Sequence, residues 1–132
     1  LAMSQFQLDS VLFPFNAICL ERGDFGRQVL DEAKRRHIAR LGLKAIAWTP
    51  VPKGTERKYP KCWYLPQDDP ARAELLLRYA LDLPITATVP PGDARLFKLC
   101  VRIAGHYKHL SDAEREQLHA AIAEVEPIFK HA

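Results

Sequence analysis

Ile85-Thr86-Ala87-Thr88-Val89-Pro90-Pro91-Gly92-Asp93 decides the reading of this chain. The run is apolar and β-branched up to Val89, breaks at a Pro-Pro-Gly turn, and enters an amphipathic segment behind an aspartate that suits a helix cap. A strand that feeds through such a turn into a helix N-terminus presents backbone N–H groups and the positive end of a dipole, an arrangement that holds phosphate in α/β proteins. An earlier run, Gly42-Leu43-Lys44-Ala45-Ile46-Ala47-Trp48, is strand-like as well and carries a lysine and an indole toward its exit. Together the two runs suggest late strands of a parallel barrel, where the loops after the seventh and eighth strands grip phosphate.

Outward from these runs, strand and helix signals alternate. Val11 to Asn16 is apolar on both faces and reads as a buried parallel strand. Asp24 then caps a helix with Phe25, Val29, Leu30 and Ala33 on one face, ending in the cationic turn Lys34 to His37. Ile38 to Ile46 is the second strand, interrupted by Arg40 and Gly42. Thr49 to Gln67 holds no period and is expected to be a long loop on the strands' carboxyl side. Asp69-Pro70 opens a helix that Pro84 stops. The helix after Asp93 places Leu96, Leu99, Cys100, Ile103 and Tyr107 on one face. Ser111-Asp112-Ala113-Glu114 is a capping box that opens a last, charged helix.

The 132 residues, 48% of them apolar, suffice for one core and not for two. Cys19, Cys62 and Cys100 are an odd number without paired spacing, which suits a reducing compartment and points to the cytoplasm. Val11 to Leu20 is too short and too interrupted to span a membrane. A net charge of +3, from 19 basic and 16 acidic residues, is too mixed to announce nucleic acid. Three parallel strands patterned for burial on both faces would leave apolar edges unpaired. A (β/α)8 barrel takes roughly 250 residues. The expected fold is therefore α/β, the C-terminal half of a (β/α)8 barrel: three parallel strands, flanking helices and a C-terminal helix in a single incomplete domain over 1–132. Leu1 at the head, with the only methionine at position 3, fits a late start or a piece cut from something longer.

From Val11 onward the chain resembles the C-terminal half of an aldo/keto reductase. The matching pieces are Val-Leu-Phe-Pro-Phe-Asn at 11–16 for the sixth strand, Gly-Leu-Lys-Ala-Ile-Ala at 42–47 for the seventh and Ile-Thr-Ala-Thr-Val-Pro-Pro-Gly at 85–92 for the eighth. Glu56 to Tyr64 is similar to a bacterial branch of the family. The resemblance implies an oxidoreductase that binds NADPH, or NADH, without metal and passes hydride to a carbonyl substrate. Its catalytic tetrad belongs to the first half of the barrel, so this chain would hold the cofactor-binding portion and be inactive alone. Tyr79 and Tyr107 fall in helices and Tyr59 and Tyr64 in the loop, so no tyrosine ends a strand as a general acid should.

The resemblance assigns cofactor contacts to Leu43, Lys44, Pro91, Gly92 and Arg95. Lys44 could reach a pyrophosphate or pair with a neighbouring carboxylate. Leu43 would pack on the nicotinamide, where many members carry an aromatic ring, or simply fill the core. Gly92 would offer an N–H to the adenosine phosphate, whereas Pro91 has no donor. Asp93 is an ordinary cap whose charge opposes a phosphate. Arg95 could clasp the extra phosphate of NADPH or lie solvated. Cys62 has no activating partner nearby in sequence, and the histidines at 37, 106, 109, 119 and 131 lack metal spacing.

A different class of function stays open beside this one: a stand-alone interaction or nucleic-acid-binding module. It would use the basic aromatic loop 53–64, where Tyr59, Trp63 and Tyr64 interleave with Lys53, Arg57, Lys58 and Lys61. The mixed charge makes nucleic acid the weaker partner, and the unpaired strands predict that the isolated chain self-associates.

Overall fold

The computed structural model describes residues 2–131. A single helical turn, α1 (Ala2–Gln5), precedes strand β1 (Ser10–Phe13). The strand expected over 11–16 stops at Phe13 because Pro14 has no N–H for the ladder. Asn16 instead caps a short helix, α2 (Ala17–Glu21), its side-chain oxygen accepting from Cys19 N at 2.9 Å. The Nδ2 of Asn16 is buried without a partner. Helix α3 (Arg27–Arg35) follows, and its N-cap is Gly26 in the left-handed region rather than the expected Asp24. A Cβ at Gly26 would meet the Phe13 ring at 3.0 Å, so the bare backbone lets the helix close onto β1.

Strand β2 (Ala39–Leu43) is shorter than the run 38–46 suggests, because Lys44 turns out of it at φ 63°. The segment expected to be structureless carries two strands, β3 (Ala47–Pro50) and β4 (Tyr64–Pro66), paired antiparallel. Their signal is weak in the sequence because each is three or four residues long and contains proline. Helix α4 (Pro70–Asp82) begins where Asp69 and Pro70 place it, with Asp69 accepting from Arg72 N at 3.0 Å. Strand β5 (Ala87–Val89) leads through the Pro-Pro-Gly turn into α5 (Ala94–Gly105), capped by Asp93. Helix α6 (Asp112–Ile122) opens on the capping box of Ser111 and Glu114.

β1, β2 and β5 form a parallel sheet in the order β1-β2-β5, with Leu12 beside Leu41 and Leu43 beside Val89. Helix α3 packs on β2, while α4 lies at the centre of the helical layer against α2, α5, α6 and β5. Ala73, Leu76, Leu77 and Ala80 of α4 are fully buried, each leucine contributing about 1.5–3 kcal/mol by leaving water. Arg78 is buried with them. Its guanidinium takes Glu114 in a two-pronged pair at 2.7 and 2.9 Å and the carbonyls of Lys108 and His109 at 2.9 and 3.0 Å, which joins α4 to the start of α6.

The half-barrel expectation is corrected here. A (β/α)8 segment contains only parallel strands. This chain inserts a separate antiparallel pair, β3 and β4, between two neighbouring strands of the parallel sheet. It is a small α/β domain with two sheets, not a closed all-parallel barrel segment.

Candidate functional site

The carboxyl ends of β2 and β5 meet the returning loop before β4, and a cleft of about 190 Å³ opens between them. Leu43 and Lys44 come from the end of β2, Val89, Pro90, Pro91 and Gly92 from the end of β5, and Lys61, Trp63 and Tyr64 from the loop. Crevices at the carboxyl ends of parallel strands are where open α/β sheets bind ligands.

Lys44 has left-handed backbone, a conformation that costs a non-glycine residue on the order of 1 kcal/mol and recurs at functional sites. The turn is closed by Ala47 N donating to Lys44 O at 2.8 Å. The lysine Nζ stands 5.3 Å from the Trp63 ring centroid and 5.7 Å from that of Tyr64. Burial pushes the pKa of the ammonium down, and among the described residues no carboxylate pairs with it. The alternative of Lys44 as one half of a structural ion pair is thereby corrected. Lys61 is the cleft's second cation without a carboxylate partner among the described residues, its stem passing over Gly92, where a Cβ would meet Lys61 Cδ at 3.8 Å. Trp63 is 49% exposed, while Tyr64 is buried, its phenol pushed up by desolvation.

Behind Trp63 runs a file of rings. Phe129 meets Trp63 edge-on at 5.6 Å and stacks on Phe25 at 5.2 Å, and Phe25 stacks on Phe13 at 5.2 Å. The segment carrying Phe129 is fastened by His131 N donating to Gly23 O at 2.7 Å. The wall of the cleft therefore leans on residues 128–131.

Four of the five residues assigned to cofactor contact, Leu43, Lys44, Pro91 and Gly92, share this cleft. Arg95 does not line it. Its guanidinium lies 4.6 Å from the Tyr59 centroid, pairs with Asp93 at 3.1 Å and donates to Lys58 O at 3.3 Å. Lys61, Trp63 and Tyr64 enter the cleft from the basic aromatic loop, while Val89 and Pro90 were not singled out from the sequence, although their adjacency to the turn was a usable signal. The aromatic loop offers no stacking platform for nucleic acid. Tyr59 and Tyr64 are buried, Lys58 pairs with Asp68, and only Trp63 of the three rings is open to solvent.

A broader hollow of about 770 Å³ lies at the other end of the molecule, between the residues around α1 and the end of α3. Its cations Arg35 and Arg36 are both engaged by Glu32, whose carboxyl is held down at about 2. Both arginines of this hollow are thus paired, unlike Lys44. Two of the histidines, His106 and His109, lie beyond α5. His106 Nδ1 contacts Arg102 O at 3.0 Å, and His109 Nδ1 meets Asp82 at 2.8 Å beside the Tyr107 hydroxyl. Among the described residues no three histidine, cysteine or carboxylate side chains gather as a metal-ligand group.

No family model matches the chain, and no curated protein or solved structure matches it. The reading as the cofactor-binding portion of an NAD(P)H-dependent aldo/keto reductase is corrected together with the barrel on which it stood. The antiparallel β3–β4 pair is foreign to that architecture, and neither the family nor the oxidoreductase activity finds a relative to rest on. Among the described residues no helix is long and apolar enough to cross a membrane.

Proposed function

We propose that the chain binds a phosphate-bearing small molecule in the cleft at the carboxyl ends of β2 and β5. The observation that carries this reading is the convergence of Lys44 and Lys61, two cations without carboxylate partners among the described residues, on one cleft beside an exposed indole. A partly desolvated ammonium with no counter-charge gains when an anion arrives, because the desolvation cost is already met by the fold. Lys44 and Lys61 would hold the phosphate, and Trp63 would supply a flat apolar wall. Ligand pockets that engulf a drug-sized molecule measure about 300–1,000 Å³. At about 190 Å³ this cleft takes a headgroup, with the rest of the ligand outside. NADPH and NADH are members of this ligand class and serve as probes of it.

Titration of pyrophosphate, inorganic phosphate and NADPH by calorimetry tests the reading. Lys44→Met should weaken binding by about 1.5–3 kcal/mol, the worth of a hydrogen bond to a charged group, with little change in melting temperature. Unchanged affinity in Lys44→Met and in Lys61→Met would overturn it.

A second reading, self-association, is favoured by the outer edges of β1 and β5, which have no strand partner among the described residues. Sedimentation of the chain as a monomer at all concentrations would remove it. The three buried, unpaired thiols suit a reducing compartment such as the cytoplasm.

A further inference from the structure

Side chains that are paired in register on a sheet share a face, and the face alternates along each strand. Leu12, Leu41, Leu43, Ala87 and Val89 therefore point to one side of the parallel sheet. The opposite side carries Phe13, stacked on Phe25, and Gly42, whose added Cβ would meet Ile85 at 3.3 Å, so that side is the packed one. The first side is open: Leu12 is 55% and Val89 43% exposed, and Leu41 and Leu43 are half-buried. Parallel sheets are ordinarily covered on both faces.

The open face and the cationic cleft are continuous. Leu43 and Val89, which belong to that face, also form the cleft's apolar wall beside Lys44 and Lys61. No charged residue stands among the five, whereas Lys44 and Lys61 stand at the end of the strip where Leu43 and Val89 enter the cleft.

We infer that the ligand is a single amphiphile, its phosphate between Lys44 and Lys61 and its hydrocarbon part laid along Leu43, Leu41 and Leu12. The inference rests on the phosphate-binding reading of the cleft and adds the chemical class of the remainder. A headgroup-sized cleft that opens onto an apolar strip selects for a ligand with both characters. The strip is only three strands wide, at about 4.8 Å between strands, which matches one chain rather than a bilayer surface.

Monoalkyl phosphates from methyl to octyl, kept below micelle formation, read this directly against inorganic phosphate. Affinity should rise with each methylene by about two- to fourfold, the upper figure being full burial of a CH₂. Leu12→Asp, at an exposed position, should flatten the slope of that series for the longer chains. A flat series in the wild-type chain with phosphate still bound overturns the amphiphile and leaves the phosphate reading standing. Silence from phosphate and alkyl phosphates alike removes both. Two other results also overturn the inference. One is binding to phosphatidic acid vesicles in preference to octyl phosphate. The other is a dimer by sedimentation that Leu12→Asp dissociates, since a second copy would then occupy the face.

Discussion

Gly23 and Phe129 meet backbone to backbone. A Cβ on Gly23 would clash with the Phe129 carbonyl oxygen, and would stand 2.8 Å from the Cys19 carbonyl oxygen and 3.2 Å from Lys130 Cα. The absence of a side chain at position 23 is what lets residues 128–131 lie down and present the Phe129 ring to Trp63.

Gly23→Ala should therefore lift this segment, at a cost of about 1–3 kcal/mol for forcing an extra methyl into packed backbone. In a Trp48→Phe background Trp63 is the sole indole, and its emission should shift to the red as Phe129 leaves it. An unchanged spectrum with an unchanged melting temperature would mean that the segment does not hold the ring.

Arg78→Met should destabilise the chain by about 3 kcal/mol in urea unfolding, the upper end for a hydrogen bond to a charged group. Four partners lose their donor together: the carboxylates of Glu114 and Glu74 and the carbonyls of Lys108 and His109. Methionine fills much of the same buried volume, so the loss reports the bonds more than a cavity. A loss below 1 kcal/mol, within the range of an ordinary surface substitution, would show that the junction of α4 and α6 holds without it.

The same pair gives the acid limb of stability. Glu114 titrates at about 2, held down by the Arg78 guanidinium and then by the Ser111 backbone, and Glu32 at about 2, held down by Arg35 and then Arg36. A depressed carboxyl stabilises fully above its ordinary value of 4.5, and that contribution is lost as pH falls toward about 2. Melting temperature should decline across that window, and Glu114→Gln should make the decline shallower. Both carboxylates meet solvent, so high salt should weaken the effect. A decline of equal steepness in Glu114→Gln would assign the acid limb to other carboxyls.

The helix starts at Asp69, Asp93 and Ser111 were legible because each cap is a local signal, read within four residues and confirmed by a hydrogen bond to N2 or N3. The strands at 39–43 and 87–89 stood inside the apolar runs that marked them, and the one at 10–13 began one residue before its run. Their ends were misjudged where a single residue left the ladder, Pro14 in one and Lys44 in the other. β3 and β4 were illegible because short, proline-bearing strands have no period, and pairing Ala47 with Pro66 is a long-range event. That omission turned a two-sheet domain into an all-parallel one and carried the reductase reading with it. Leu43, Lys44, Pro91 and Gly92 were found as strand exits, whereas Arg95 was drawn off by Asp93 and Tyr59, partners that spacing alone could not rank.

The thiols should be inert in the folded chain. Cys19, Cys62 and Cys100 are all buried, and desolvation raises each, Cys100 to about 11. The thiolate is the reactive form, so an aromatic disulfide reagent at neutral pH should release colour only with denaturant. Fast release of one equivalent from the native chain would place a thiol within reach of solvent through local opening.

Asp93→Asn separates the two tasks of the residue after the turn. The carboxylate caps α5, accepting from Arg95 N at 3.0 Å, and also holds the Arg95 side chain at 3.1 Å. Asparagine caps as well as aspartate, so stability should change by only a few tenths of a kcal/mol, whereas Asp93→Ala should lose about 1 kcal/mol. The charge is a different matter. It sits one residue beyond Gly92, which lines the cleft, so a negative group there opposes a phosphate approaching Lys44 and Lys61. Its removal should tighten pyrophosphate binding by about two- to fivefold, the scale of one partly screened charge at a helix end. Arg95 would keep its place over Tyr59 through the ring, so it should not add a phosphate contact of its own. Titration of Asp93→Asn and Asp93→Ala together decides the point. Tightening in both assigns the effect to the charge, while weakening in Asp93→Asn would show that the carboxylate itself touches the ligand through a hydroxyl or a water.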